Sequence, residues 1–463
     1  MADPRPNLLF IMADDHAAHA ISAYGSHLAK TPGIDRIAEA GMRFDNCFCV
    51  NSICTPSRAA ILTGTYNHVN GVTTLDTHFD GRQTTFPKLL RAAGYQTAVV
   101  GKWHLGHGGV HDPTGFDYWD VLPDQGDYHD PEMIRWRADQ TTDPEGERRV
   151  VEGYVTDIVT DLSLAWLEAR DPDRPFLLKL HPKAPHRHGE PAPRHAHLYE
   201  DLEVPTPPTF DDDYSFRASA ARNARMRIDR DLNLDDLKVP VPEGLTAAEE
   251  KHWRFQRYIK DYLRCVAAID ENIARVLDWL DDNGLTDDTA VIYTSDQGFF
   301  LGDHGWYDKR FMYEESLRMP FLVRYPRLVR DGSVCTDMAL NVDVAPTLLD
   351  LAGVQIPSGM QGVSLRPLLR ETTPPDWRTA MYYRYWMHLD NAHAVQAHFG
   401  IRTDRYKLIR YDGEGDGPEW ELFDLAEDPY EIHSVYDDPG YADQVERLTT
   451  QLWRMQAEVG DAP

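Results

Sequence analysis

The sequence predicts an α/β chain: a large domain on a mostly parallel central sheet flanked by helices, then a smaller domain with an antiparallel sheet and one helix. Three observations carry this. Short apolar runs without alternation suit strands buried on both faces. Stretches with apolar residues at helical spacing lie between those runs. Near Arg370 to Pro375 the character changes to short, aromatic-rich segments. The large domain is therefore assigned to residues 1–372 and the smaller one to residues 373–463.

Leu8 to Met12 is the first strand, and Asp14 and Asp15 follow it at once. Ile34 to Met42 and Phe86 to Ala93 are helical. Thr97 to Val100 is the second strand, leading into Gly101-Lys102-Trp103-His104. Val155 to Glu168 is a helix. Phe176 to Leu180 is the third strand, followed by His181 and Ala184-Pro185-His186. A long helix from about Trp253 to Leu280 stops at Asn283-Gly284, a good C-terminal signal. Ala290 to Thr294 is the fourth strand, leading into Ser295-Asp296-Gln297-Gly298. Between them, Pro205 to Pro242 is rich in Pro, Asp and Arg and reads either as a lid or as a solvated loop. Met381 to Trp386, Phe399 to Arg402, Arg405 to Tyr411 and Trp420 to Leu425 are the strands of the smaller sheet, and Gln444 to Glu458 is its helix. In parallel α/β sheets, functional groups gather past the carboxyl ends of the strands. Asp14, Lys102, His186 and Asp296 all lie there.

The 463 residues are 42% hydrophobic and 26% charged, which excludes a wholly disordered chain and supplies a large core. No apolar run approaches the roughly 20 residues that cross a bilayer, so no membrane partner is expected. The N-terminus lacks the pattern of a signal peptide. The expectation is a cytoplasmic protein, or a periplasmic or secreted one if a leader was removed. The formal net charge is −28, from 47 basic and 75 acidic residues, which argues against a nucleic-acid partner. An anionic substrate would have to meet a local cluster of positive charge. Five cysteines form neither a disulfide framework nor a zinc site, since no Cys-x-x-Cys pair exists.

Asp14-Asp15 reads either as a helix cap or turn, or as a pair of oxygen ligands for a hard cation. Asp296-Gln297 repeats the arrangement after another strand, and together the pairs suggest one metal site. Cys54-Thr55-Pro56-Ser57-Arg58 precedes helix-prone residues, with Pro56 suited to a first turn. Cys54 at a helix N-terminus is either an activated thiol or a buried one. His304, Tyr385, Trp386 and His388 are candidate substrate contacts, because aromatic faces with polar tips suit sugar or aryl rings. Ordinary packing between the two domains is the other reading.

Cys54-x-Pro56-x-Arg58 resembles the maturation motif of the type I, formylglycine-dependent sulfatases. So do Gly101 to Gly106, Ser295 to Gly298 with Gly302 to Gly305, Asp308-Lys309, Glu314 to Pro320, Arg402 to Leu408, and Leu422 to Leu425. The resemblance spans nearly the whole chain. It implies an alkaline-phosphatase-like fold and hydrolysis of sulfate esters, those of carbohydrates first and simple aryl sulfates as a secondary activity. It further implies that a formylglycine-generating maturation enzyme converts Cys54 to Cα-formylglycine. Asp14, Asp15, Asp296, Gln297 and the modified Cys54 would bind one divalent cation, Ca²⁺ with Mg²⁺ or Mn²⁺ as alternatives. Many relatives carry Asn or His where Gln297 stands; Gln keeps an oxygen ligand. Arg58 would hold the formylglycine hydrate, Lys102 and His104 would line the pocket, Lys309 would contact the sulfate, and His186 would protonate the leaving group. One hydroxyl of the hydrate would attack sulfur, giving a sulfuryl-enzyme intermediate, and His104 would then deprotonate the other. Two alternatives remain: a phosphonate monoester hydrolase or phosphodiesterase on the same fold, and a non-catalytic binder of sulfated glycans. Oligomeric state is left open.

Overall fold

A computed structural model describes residues 5–138, 146–413 and 417–461. The large sheet has ten strands. In chain order they are β1 (Asn7–Ala13), β2 (Met42–Phe44), β3 (Gln96–Lys102), β4 (Tyr118–Leu122), β5 (Glu132–Arg137), β6 (Glu147–Val150), β7 (Phe176–His181), β8 (Thr289–Ser295), β9 (Phe321–Arg324) and β10 (Ser333–Cys335). Their spatial order is β10-β2-β9-β8-β1-β7-β3-β4-β5-β6. The middle five, β8, β1, β7, β3 and β4, run parallel. These include the four strands expected from apolar runs. In β1 every residue after Asn7 is buried, and in β3, β7 and β8 all are. Burying each large apolar side chain there contributes about 1.5–3 kcal/mol.

Antiparallel β9 and then β2 extend the sheet at one edge, with β10 parallel to β2, and antiparallel β5 and β6 extend it at the other; none of them is among the strands expected from apolar runs. The β5–β6 hairpin is Arg- and Glu-rich and is laced by Arg148–Glu132 at 2.6 Å and Arg135–Glu147 at 2.5 Å. Such charged edge strands carry no apolar run.

The helices that matter for the site are α1 (Pro32–Glu39), α2 (Cys54–Thr63), α3 (Phe86–Ala92), α4 (Val155–Ala169), α5 (Ala247–Asp282), α6 (Val344–Leu351) and α7 (Ala442–Val459). The 36-residue α5 begins six residues before the expected Trp253. Its first turn, Ala-Ala-Glu-Glu-Lys, has no apolar periodicity, but a capping box starts it. The Glu249 N–H donates to Thr246 Oγ1, and the Glu249 carboxylate accepts from the Thr246 N–H at 2.8 Å.

The excursion over 205–242 is not a solvated loop. Phe210, Tyr214, Met226, Ile228, Leu232 and Leu237 are buried, and short helices Ser219–Asn223 and Leu234–Leu237 interrupt it.

The smaller sheet is β11 (Ala380–Tyr385), β12 (His398–Thr403), β13 (Tyr406–Tyr411) and β14 (Glu419–Asp424), antiparallel and in sequential order. Helix α7 buries Leu448 and Leu452 against it. No helix among the described residues is long and apolar enough to cross a membrane.

Candidate active site

Strand ends supply the base of the site. Asp14 and Asp15 follow β1, Lys102 closes β3, His186 lies in the loop after β7, and Asp296 with Gln297 follows β8. Gly101, at φ 102°, turns the chain into Lys102, and a Cβ there would collide with the His181 carbonyl. Cys54 is the first residue of α2, whose ten residues are all buried. Its amino end therefore points at the place where β1 and β8 end.

Side chains knit these segments together. Arg58 donates from Nε to Asp296 Oδ2 at 2.9 Å and from Nη1 to the Lys102 carbonyl at 2.7 Å. Its Nη2 lies 3.5 Å from Asp14 Oδ1. Lys102 Nζ donates to Asp14 Oδ2 and to Gln125 Oε1. Lys309 Nζ donates to both Asp15 oxygens at 2.6 Å, and Gln297 Nε2 donates to Asp15 Oδ1. The Asp15 N–H donates to Asp296 Oδ1 at 3.1 Å. Asp15 is held at φ 67°, and the Tyr262 hydroxyl on α5 fixes it by donating to its carbonyl at 2.8 Å.

His186 Nδ1 donates to the Arg187 carbonyl. A carbonyl only accepts, so Nδ1 carries the hydrogen and Nε2 is the nitrogen that exchanges a proton. That Nε2 lies 3.7 Å from Asp15 Oδ2. His104 Nδ1 lies 3.3 Å from Thr55 Oγ1, beside Cys54.

The electrostatics follow from burial. Asp14, Asp15 and Asp296 are 0% exposed. Burial, together with the carboxylates of Asp14, Asp296 and Asp308, pushes Asp15 up to about 8 against Lys309. Burial and Asp14 push Asp296 up to about 6 against Arg58. Burial acts on Asp14 as well, but the fixed charges of Lys102, Arg58 and Lys309 hold it well below the usual carboxylate range. Burial, then Lys102, pushes His104 and His186 well down, so both rings rest neutral. Burial pushes the Cys54 thiol up, against Lys102 and Lys309.

The donor set fits a hard cation. Asp14 Oδ1 and Gln297 Oε1 are buried oxygens without a hydrogen-bond partner, and ligand atoms of Asp14, Asp15 and His186 lie within 4.8 Å of one another. Three carboxylates and an amide oxygen are the ligands Ca²⁺ or Mg²⁺ takes.

Above this base opens a cavity of about 320 Å³. Cys54, His186 and Lys309 line it, as do Lys183, Arg187, Arg310 and His393. The expected substrate contacts do not. His304 is 0% exposed behind the cavity, bonded to Asp212 at 3.0 Å and packed on Trp306 and Tyr313. Tyr385 is 1% exposed; it reaches the cavity only through Arg310, whose Nη1 donates to its hydroxyl at 3.0 Å. Trp386 lies under Arg384 and beside His68. His388 accepts from the Ala397 N–H at 3.2 Å. The aromatic composition of that segment serves packing, and His393 is the member of it that lines the cavity.

Other residues gave no sequence signal. Gln125 steadies Lys102. Asn341 donates to Ser57 Oγ at 2.9 Å. Asp236, in the Pro-rich excursion, clamps Arg187 at 3.0 and 2.7 Å. These come from loops without periodicity, and only Asp308-Lys309 beside Arg310 hinted at the wall.

A family model described as sulfatase matches residues 6–354. Another, described as N-sulphoglucosamine sulphohydrolase, C-terminal, matches residues 302–458. The chain is 43% identical to an N-acetylglucosamine-6-O-sulfatase of Bacteroides thetaiotaomicron, over 99% of this chain and 87% of that protein. It superposes with a TM-score of 0.93 and 42% identity on a structure solved with its substrate D-glucosamine-2-N,6-O-disulfate, covering 99% of both chains. It also shares its fold, at 21% identity and a TM-score of 0.78, with a phosphonate monoester hydrolase of Agrobacterium radiobacter, covering 98% of this chain and 96% of that one. The matched models, read with the charged base just described, identify the chain as a member of the sulfatase family, a sulfuric ester hydrolase.

Proposed function

We propose that the protein removes a sulfate ester from a sulfated carbohydrate, a glucosamine 6-O-sulfate in the first instance, with Cys54 converted to formylglycine and one divalent cation, Ca²⁺, on Asp14, Asp15, Asp296 and Gln297. The observation that carries this is the convergence of Arg58, Lys102 and Lys309 with two unpartnered buried oxygens around the first residue of α2. The names of the relatives support the sugar.

The formylglycine hydrate supplies a geminal diol, one hydroxyl of which is the nucleophile; a serine there would leave an ester that is hard to discharge. The cation, when bound, supplies positive charge for the sulfate. Lys102 and Lys309 hold the sulfate oxygens and stabilise the charge that develops on them. Asp296 takes the proton of the attacking hydroxyl. Arg58 fixes Asp296 through Nε. Burial first, then Lys102 and Lys309, keeps the free His186 neutral; the anionic sulfate and the charge developing on the leaving oxygen favour the protonated ring, which gives its Nε2 proton to that oxygen. His104, on the Thr55 side, would take the proton of the second hydroxyl, so that the C–O bond to the transferred sulfuryl group breaks, sulfate leaves and the aldehyde re-forms. Cys54 is 1% exposed, so the maturation enzyme acts before the fold closes.

The test is a panel of N-acetylglucosamine-6-O-sulfate, an aryl sulfate and a phosphate diester, given to enzyme whose formylglycine has been verified by mass. The expected order is sugar sulfate, then aryl sulfate, then diester. Faster diester turnover would instead establish the phosphonate-hydrolase reading. Binding of the sugar without turnover would establish the glycan-binding one.

A further inference from the structure

Four cations line the cavity: Lys183, Arg187, Lys309 and Arg310. Three have counter-charges. Lys309 meets Asp15 at 2.6 Å, Arg187 meets Asp236 at 2.7 Å, and Arg310 meets Asp308 at 3.3 Å. Lys183 has none. It is 4% exposed, yet its ammonium has no carboxylate within 4.0 Å and no hydrogen-bond partner among the described residues. Its seat is the face of the Tyr128 ring, 4.7 Å from the centroid. A ring face attracts a cation but leaves its charge uncancelled. Asp127 lines the same cavity beyond ion-pair reach.

The chain sets this geometry deliberately close to the chemistry. The His186 N–H donates to the Lys183 carbonyl at 3.2 Å, and the Tyr128 hydroxyl donates to the His186 carbonyl at 2.6 Å. One tight turn thus brings Lys183 and His186 to the same wall. A desolvated ammonium without a counter-ion is costly, and an anion arriving with the substrate removes that cost. The scissile sulfate is already met by Lys102 and Lys309.

We infer that Lys183 is a specificity residue that contacts a second anionic substituent of the sugar, so that the enzyme prefers a doubly charged substrate. This rests on the sugar-sulfatase reading above. An N-sulfate on the glucosamine ring has the chemistry that fits, being a compact anion able to accept from an ammonium.

The experiment compares kcat/KM for glucosamine-2-N,6-O-disulfate and N-acetylglucosamine-6-O-sulfate, in wild type, Lys183→Met and Lys183→Arg. Because each variant is judged by the ratio of its two values, the fraction folded cancels. Lys183→Met is expected to lower the disulfate preference about tenfold or more, mainly through KM, the size of one charged hydrogen bond. Lys183→Arg is expected to keep it within about threefold, since either cation can reach an anion. An unchanged ratio in Lys183→Met, or an equal fall for both sugars, overturns the inference and leaves the sugar-sulfatase reading standing. If verified wild-type enzyme hydrolyses neither sugar, that reading falls and this inference with it.

Discussion

Two buried charged regions of this molecule are built on opposite principles. At the interface between the smaller sheet and the large domain, each carboxylate meets a cation or several hydrogen-bond donors. Glu314 receives Arg402 at 3.2 Å and Lys407 at 2.9 Å, and Lys407 also reaches Glu431 at 2.6 Å. Glu421 accepts from the Tyr313 and Tyr411 hydroxyls at 2.8 and 2.9 Å and from the Ala218 N–H at 2.8 Å. At the base of the active site, like charges crowd instead. Three carboxylates share a few ångströms, and oxygens of Asp14 and Gln297 lack donors. The difference teaches how to tell a structural charge from a functional one. Burial alone is uninformative, whereas several carboxylates crowded into one buried place mark a site made for a cation.

Mutations should separate the two regions. At the base, His186→Ala and Lys309→Ala each lower sulfate-ester turnover by roughly 10²–10⁴, measured as kcat on folded protein. Near-normal turnover in either variant would remove that residue from the chemistry. At the interface, Glu314→Ala strands Arg402, leaves Lys407 with Glu431 alone, and costs about 3–5 kcal/mol in denaturant unfolding, while turnover per folded molecule holds. A loss under about 1 kcal/mol would show that solvent reaches the network.

The interface also predicts a pH dependence. His398, on β12, is fully buried, and burial pushes it down to about 4. Its Nε2 accepts from the Met312 N–H at 3.2 Å. The folded state keeps the ring neutral while the unfolded chain protonates it near pH 6.5. Its stability contribution is therefore present above about pH 6.5 and lost as pH falls toward 4, by about 3 kcal/mol. His398→Gln should flatten that part of the stability–pH curve; an unchanged curve would mean that other groups set it.

The smallest effect sharpens the contrast. Ca²⁺ at a hundredfold excess over Kd should stabilise the wild type by about 2.7 kcal/mol, read as a rise in Tm. Asp14→Asn should lose most of that rise, and Glu314→Ala should keep it. Equal rises in both variants would move the cation away from Asp14.

Much of this was legible in the residues, for identifiable reasons. The central strands have two buried faces, so apolar runs such as Leu8–Met12 announce them. The base residues follow those strands directly, so Asp14, Lys102 and Asp296 could be placed by position alone. The edge hairpin of β5 and β6 is paired by Arg and Glu and carries no apolar run. The cavity wall was the least legible part. Arg187, Arg310 and His393 come from separate loops, and each is aimed by a residue distant in sequence, as Asp236 aims Arg187. His304 misled because it stands in a motif beside Lys309, yet its ring fills the core behind.

The measurement that bears most directly on the central claim is the mass of the peptide 44–58, which carries Cys47, Cys49 and Cys54, after alkylation of unfolded protein from a preparation that hydrolyses sulfate esters. The account predicts two alkyl groups and a peptide lighter than its thiol form, with the loss located at position 54. Three alkylated thiols in fully active enzyme would contradict it.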